Sequence, residues 1–129
     1  MKSFLKKIVL TFVLISSGVL LFAQGVSEQI GVALGSGNVS GITRYFDNAV
    51  SISVSGSQST YSRSQAEMVL RDFFGKNQAR GFTAEHSGGS KGSSYAIGTL
   101  TTANGKYRAY FTVRQKENGY IIQEIRIEK

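Results

Sequence analysis

The sequence predicts an α+β domain in which a strongly curved antiparallel sheet packs against three helices, two near the N-terminus and one central. Three observations predict it. Apolar residues recur at helical spacing over 26–46 and again over 62–77. Val50, Ile52 and Val54 alternate with Ser51, Ser53 and Ser55, the period of a half-buried strand. Two Asn-Gly dipeptides, Asn104-Gly105 and Asn118-Gly119, punctuate a C-terminal half rich in β-formers.

The chain opens with "MKSFLKKIVLTFVLISSGVLLFA". Lys2, Lys6 and Lys7 form a basic start, an apolar run follows from Ile8 to Phe22, and Ala23 is a small residue before polar Gln24. This layout predicts a signal peptide over residues 1–23, cleaved between Ala23 and Gln24, and a single domain over 24–129. Leu21 stands where a second small residue fits the cleavage site best. The unbroken apolar stretch is short of the ~20 residues a spanning helix needs, so no membrane span is expected after cleavage. The chain has no Cys, which excludes a lipid anchor at the cleavage point, disulfides and thiol catalysis. The expected location is periplasmic or secreted. The formal charge of +7 falls to +4 once the three leading lysines leave, so the basic balance gives no reason to expect a nucleic-acid partner.

The elements follow in order. Val26, Ile30, Ala33 and Leu34 make one apolar stripe, broken by Gly35-Ser36-Gly37-Asn38. "VSGITRYF" continues as a short helix with Val39, Ile42, Tyr45 and Phe46 on one side. The strand through Val50–Val54 turns at Gly56 into a partner that ends near Tyr61. The clearest helix is "SRSQAEMVLRDFFGKN", with Ala66, Val69, Leu70, Phe73 and Phe74 as its stripe. Ser62 with Gln65, or Ser64 with Glu67, fits a capping box, and Gly75 or Asn77 ends the helix.

From Gly81 onward the chain reads as strand. A two-residue turn at Asn104-Gly105 pairs Leu100 with Ala109, Gly98 with Phe111 and Ala96 with Val113. At the second turn, a three-residue Glu117-Asn118-Gly119 loop sets Phe111 opposite Ile125 and Ala109 opposite Ile127. A two-residue loop would place Arg126 and Glu124 on the core face, so the longer loop is expected. The other face then carries Tyr95, Ile97, Tyr110 and Ile122 among Arg108, Arg114, Arg126 and Glu124.

Helix, short helix, strand pair, capped helix and long meander is an order that resembles the nuclear-transport-factor-2-like (cystatin-like α+β) superfamily. "YSRSQAEMVLRDFF" followed by the two Asn-Gly hairpins also resembles a family of small exported bacterial proteins of unknown function. The resemblance implies a sheet wrapped around the helices as a cone with a cavity. It also implies that enzymes, ligand binders and dimerisation modules are all open to the fold.

Candidate sites are few. "EHSGGSKGSSYA", residues 85–96, holds the sole histidine, His86, in a Gly/Ser/Lys run. A phosphate loop needs Lys directly after the second Gly and a following helix, but Lys91 precedes Gly92 and Tyr95-Ala96-Ile97 continues as strand. The stretch therefore reads as a hairpin bend. His86 shares strand parity with Phe82 and Ala84, so it is expected to face the cavity, with Glu85 on the other side. One histidine without further ligands makes a poor metal site, and no metal or cofactor is expected. Tyr45, Tyr61, His86 and Tyr107 are the candidate cavity residues, while Tyr95, Ile97, Tyr110 and Ile122 are the candidate homodimer patch. Asp47 and Asp72 do not complete an acid–base set. The leading expectation is a non-enzymatic module that binds a small molecule or a protein partner. The alternative is a small isomerase or hydrolase using a carboxylate or His86.

Overall fold

A computed structural model describes residues 25–129, and the signal-peptide and cleavage-site expectations lie outside them. A helix, α1, occupies 25–36, and α2 spans Val39–Thr43. Two strands follow, β1 (Phe46–Val54) and β2 (Ser57–Ser62), then α3 (Arg63–Lys76). The rest is four strands: β3 (Ala79–Ser90), β4 (Ser93–Thr102), β5 (Gly105–Lys116) and β6 (Gly119–Glu128). They form one six-stranded sheet in the order β2-β1-β6-β5-β4-β3. The fold is α+β, with a curved, unclosed sheet whose concave side holds the helices.

The expected stripes become the core. Ile30 and Leu34 of α1, Ile42 of α2 and Leu70 of α3 are fully buried against Ile52, Leu100, Phe111, Ile125 and Ile127 of the sheet. At roughly 1.5–3 kcal/mol per buried aliphatic or aromatic side chain, this cluster dominates the stabilising side of the balance. α3 starts with the Ser62/Gln65 capping box, in which the Ser62 hydroxyl accepts from the Gln65 N–H and the Gln65 side chain accepts from the Ser62 N–H. It ends at Asn77, whose backbone and side-chain N–H groups both donate to the Phe73 carbonyl.

The sheet differs from the expected all-antiparallel meander in one pairing. β1 and β6 run parallel, with Ile52 beside Ile125 and Val54 beside Ile127. β1 and β6 are not consecutive, so no hairpin forces them to be antiparallel, and the chain between them supplies the long crossover that parallel strands need.

Turn chemistry sets the registers. Ser55 (φ +52°) and Gly56 (φ +84°) both lie in the left-handed region, as a two-residue hairpin turn requires, and Val54 pairs with Ser57. The next hairpin closes at Lys91-Gly92, with Gly92 at φ +71°. The β4–β5 turn is Ala103-Asn104 in place of the expected Asn104-Gly105, so Ala96 faces Phe111, Gly98 faces Ala109 and Leu100 faces Tyr107. This slip of two keeps every side chain on its expected face. The Asn104 side chain donates to the Lys76 carbonyl and Asn77 Oδ1 at 2.7 and 3.0 Å, which ties the turn to the end of α3.

Phe111 does sit opposite Ile125 and Ala109 opposite Ile127, but loop length is not the reason. The turn is the two-residue Glu117-Asn118, and a bulge at Gln123 restores the register. That bulge corrects one expectation. Ile122 pairs with Val113 and is fully buried, so it belongs to the core and not to the outer patch. A second bulge lies in β3, where Ala84 faces Gly98 and His86 faces Ile97, leaving Glu85 extra. A Cβ on Gly98 would lie 2.0 Å from the Thr83 carbonyl oxygen, so the strands approach this closely only because Gly98 has no side chain.

Candidate functional site

The β3–β4 hairpin extends past the packed core, and its concave side forms an open concavity with α1 and the β5–β6 turn region. The concavity measures about 900 Å³. Its floor is apolar and made by Phe82, Ala84, Ala96 and Val113. Val32 of α1, 71% exposed, and half-buried Tyr120 of β6 close the sides. Hydroxyls of Ser27, Ser87 and Ser94 lie among them, and the Ser27 and Ser94 oxygens are 3.2 Å apart, tying α1 to β4. The volume falls within the range of small-molecule sites. The stretch "EHSGGSKGSSYA" is thus a hairpin, as expected, and also a wall of this concavity.

The four candidate cavity residues are not brought together. Tyr61 and Tyr107 share a smaller cleft of about 330 Å³ between the β1–β2 turn and α3, which also takes in Asp72 and Lys76. Tyr107 is core: its ring packs edge-on against Phe73 at 5.2 Å and its hydroxyl donates to Asn77 Oδ1 at 3.0 Å. Tyr45 lies beside α1, where its hydroxyl donates to Gln29 and the Arg44 guanidinium sits over its ring.

His86 does not face the concavity. The bulge at Glu85 reverses the parity, so exposed His86 aligns with Ile97 on the convex face. Glu85 lies on that face too, where it accepts from Thr99 Oγ1 at 2.6 Å and pairs with Arg108 at 3.8 Å. The carboxylates are also elsewhere. Asp72 pairs with Lys76 along α3 at 3.2 Å, and Asp47 pairs with Lys116 at 2.5 Å. The Lys116 hydrogen bond, then the Asn48 backbone bond, hold the Asp47 carboxyl below the usual carboxylate range.

The convex face carries Tyr95, 41% exposed, with its ring 6.5 Å from that of half-buried Tyr110. Arg126 lies over the Tyr110 ring and is bonded to Glu124, which favours its charged form. Ile97 is half-buried beside them, and Arg108 and Arg114 are exposed.

Residues 27–128 match the family model "Domain of unknown function (DUF4783)". The chain belongs to the DUF4783 family. A DUF4783 family protein from Bacteroides fragilis is 38% identical, with a TM-score of 0.74 over 78% of this chain and 95% of the other. One from Bacteroides ovatus is 31% identical, with a TM-score of 0.74 over 78% and 92%. An NTF2-like protein of unknown function from Silicibacter pomeroyi has a TM-score of 0.63 at 14% identity, over 88% of this chain and 97% of the other, a likeness of fold alone. No curated protein matches the chain. This DUF4783 member therefore has an NTF2-like, cystatin-like fold. No helix among its described residues is long and apolar enough to cross a membrane.

Sequence reasoning missed the residues of the concavity. Phe82 and Ala84 were legible as an apolar parity. Ser27 and Ser94, 67 positions apart, meet only in the folded chain.

Proposed function

We propose that this protein is an exported, non-enzymatic binding module, periplasmic or secreted, that holds a small molecule in the concavity between α1 and the β3–β4 hairpin. The observation that carries the reading is a concavity of about 900 Å³ with an apolar floor and hydroxyl groups on its walls. The groups considered for catalysis, His86, Asp47 and Asp72, all lie outside it. Native mass spectrometry of the protein purified from an exporting bacterial host, without refolding, tests this reading. The expected result is a chain that begins at Gln24 and carries a non-covalent mass. A full-length cytoplasmic chain overturns export. A chain that neither retains nor takes up any small molecule overturns the binding role.

A second reading rests on the exposed Tyr95 and its neighbour Tyr110: a homodimer through the convex face, with Ile97 in the same patch. Tyr110→Glu is expected to give monomers by light scattering, and a variant that stays dimeric sinks this reading.

A further inference from the structure

Taking the concavity as a binding site, we infer that its ligand is an uncharged amphiphile: an apolar chain or ring body carrying a neutral hydroxyl, carbonyl or amide group. The floor sets the body. Phe82 and Ala84 present carbon only, and burying a ligand's apolar surface there contributes about 25 cal/mol per Å² before the costs of association. Two of the lining residues there, Ala84 and Ala96, are small.

The hydroxyls set the head. Ser27 and Ser94 bond to one another at 3.2 Å, which uses one donor and one acceptor. One hydroxyl hydrogen and three lone-pair sites remain, enough to serve a neutral group that both donates and accepts. A desolvated carboxylate, phosphate or ammonium requires an opposite charge, or several converging charge-assisted bonds, to offset its loss of water. The lining offers no buried charge and no converging set of charge-assisted bonds. Among the described residues its charged groups are Glu28 on α1 and Lys91 in the β3–β4 turn, both exposed and opposite in sign, so the site has no net preference for an ion.

The test uses three amphiphiles with the same decyl tail: decanol, decanoate and decyltrimethylammonium. Each displaces the neutral fluorescent probe N-phenyl-1-naphthylamine from the protein as purified from its exporting host, after extraction of any bound lipid. Decanol is expected to bind about tenfold more tightly than either ion. Ala84 is exposed to the concavity, so Ala84→Trp fills the floor with an unchanged melting curve and is expected to abolish binding of all three. Ser27→Ala with Ser94→Ala is expected to weaken decanol and leave the two ions unchanged. If an ion binds as tightly as decanol, and Ala84→Trp removes it, the site stands and the inferred ligand class is wrong. If no amphiphile displaces the probe, or Ala84→Trp changes nothing, the binding-site reading itself fails.

Discussion

Glu117 sits at φ +54° in the β5–β6 turn, a left-handed conformation that costs an L residue other than Gly, Asn or Asp about 1 kcal/mol. Glu117→Gly removes that strain. It is expected to stabilise the fold by about 0.5–1 kcal/mol, read as a shift in the urea midpoint. Gly98 is the opposite case, because any Cβ there meets the Thr83 carbonyl. Gly98→Ala is expected to cost about 1–3 kcal/mol, and a melting curve equal to the parent's would show that the β3 bulge relaxes to admit it. Ile122 separates core from interface. Ile122→Ala is expected to lose about 2–5 kcal/mol in chemical unfolding, as burial against Val113 requires. Ile97→Ala, half-buried on the convex face, is expected to cost less.

At the scale of an element, α3 is held at both ends by side chains read correctly and incorrectly in turn. The Ser62/Gln65 box was the first of two readings and is the one formed. Ser62→Ala is expected to cost about 1 kcal/mol by urea denaturation. The far end depends on Asn104, which was expected to serve only its own turn. Its amide satisfies the Lys76 carbonyl that the helix leaves unpaired, so Asn104→Ala is expected to destabilise by a similar amount and to loosen the last turn of α3 in hydrogen exchange. In the sheet, bulges at Glu85 and Gln123 decide on which face His86 and Ile122 lie. A bulge is one residue long and carries no composition mark in "FTAEHSG" or "IIQEI", which is why His86 and Ile122 were assigned to the wrong sides.

Across the whole molecule, β6 lies between β1 and β5, so this strand is interior to the sheet. β5, β6 and β1 are expected to exchange their amides slowest, with β2 and the distal half of β3 fastest. The Asp47–Lys116 pair joins the first strand to the fifth across 69 positions. Because folding lowers the Asp47 pKa from 3.8, its contribution is present above the unfolded value and is lost as pH falls through the folded one. Lys116→Met is therefore expected to lower stability slightly at neutral pH and to leave it unchanged well below about pH 4, which flattens the acid limb between the two. An unchanged acid limb would mean that the pair contributes nothing to folding. The concavity also belongs to this scale, since α1 and the β3–β4 hairpin meet there from far apart in the chain.

The sequence by itself determined the helices, the hairpin strand pairs, the capped third helix and most of the apolar side chains that form the core. These follow from periodicity, caps and turn residues, which act within a few positions. Tertiary structure alone decided the parallel β1–β6 pairing, the faces of His86 and Ile122, and the meeting of Ser27 with Ser94 over an apolar floor. Strand parity holds only until a bulge interrupts it, and contacts between distant segments depend on how far the sheet curls. Neither is encoded in any short window of residues.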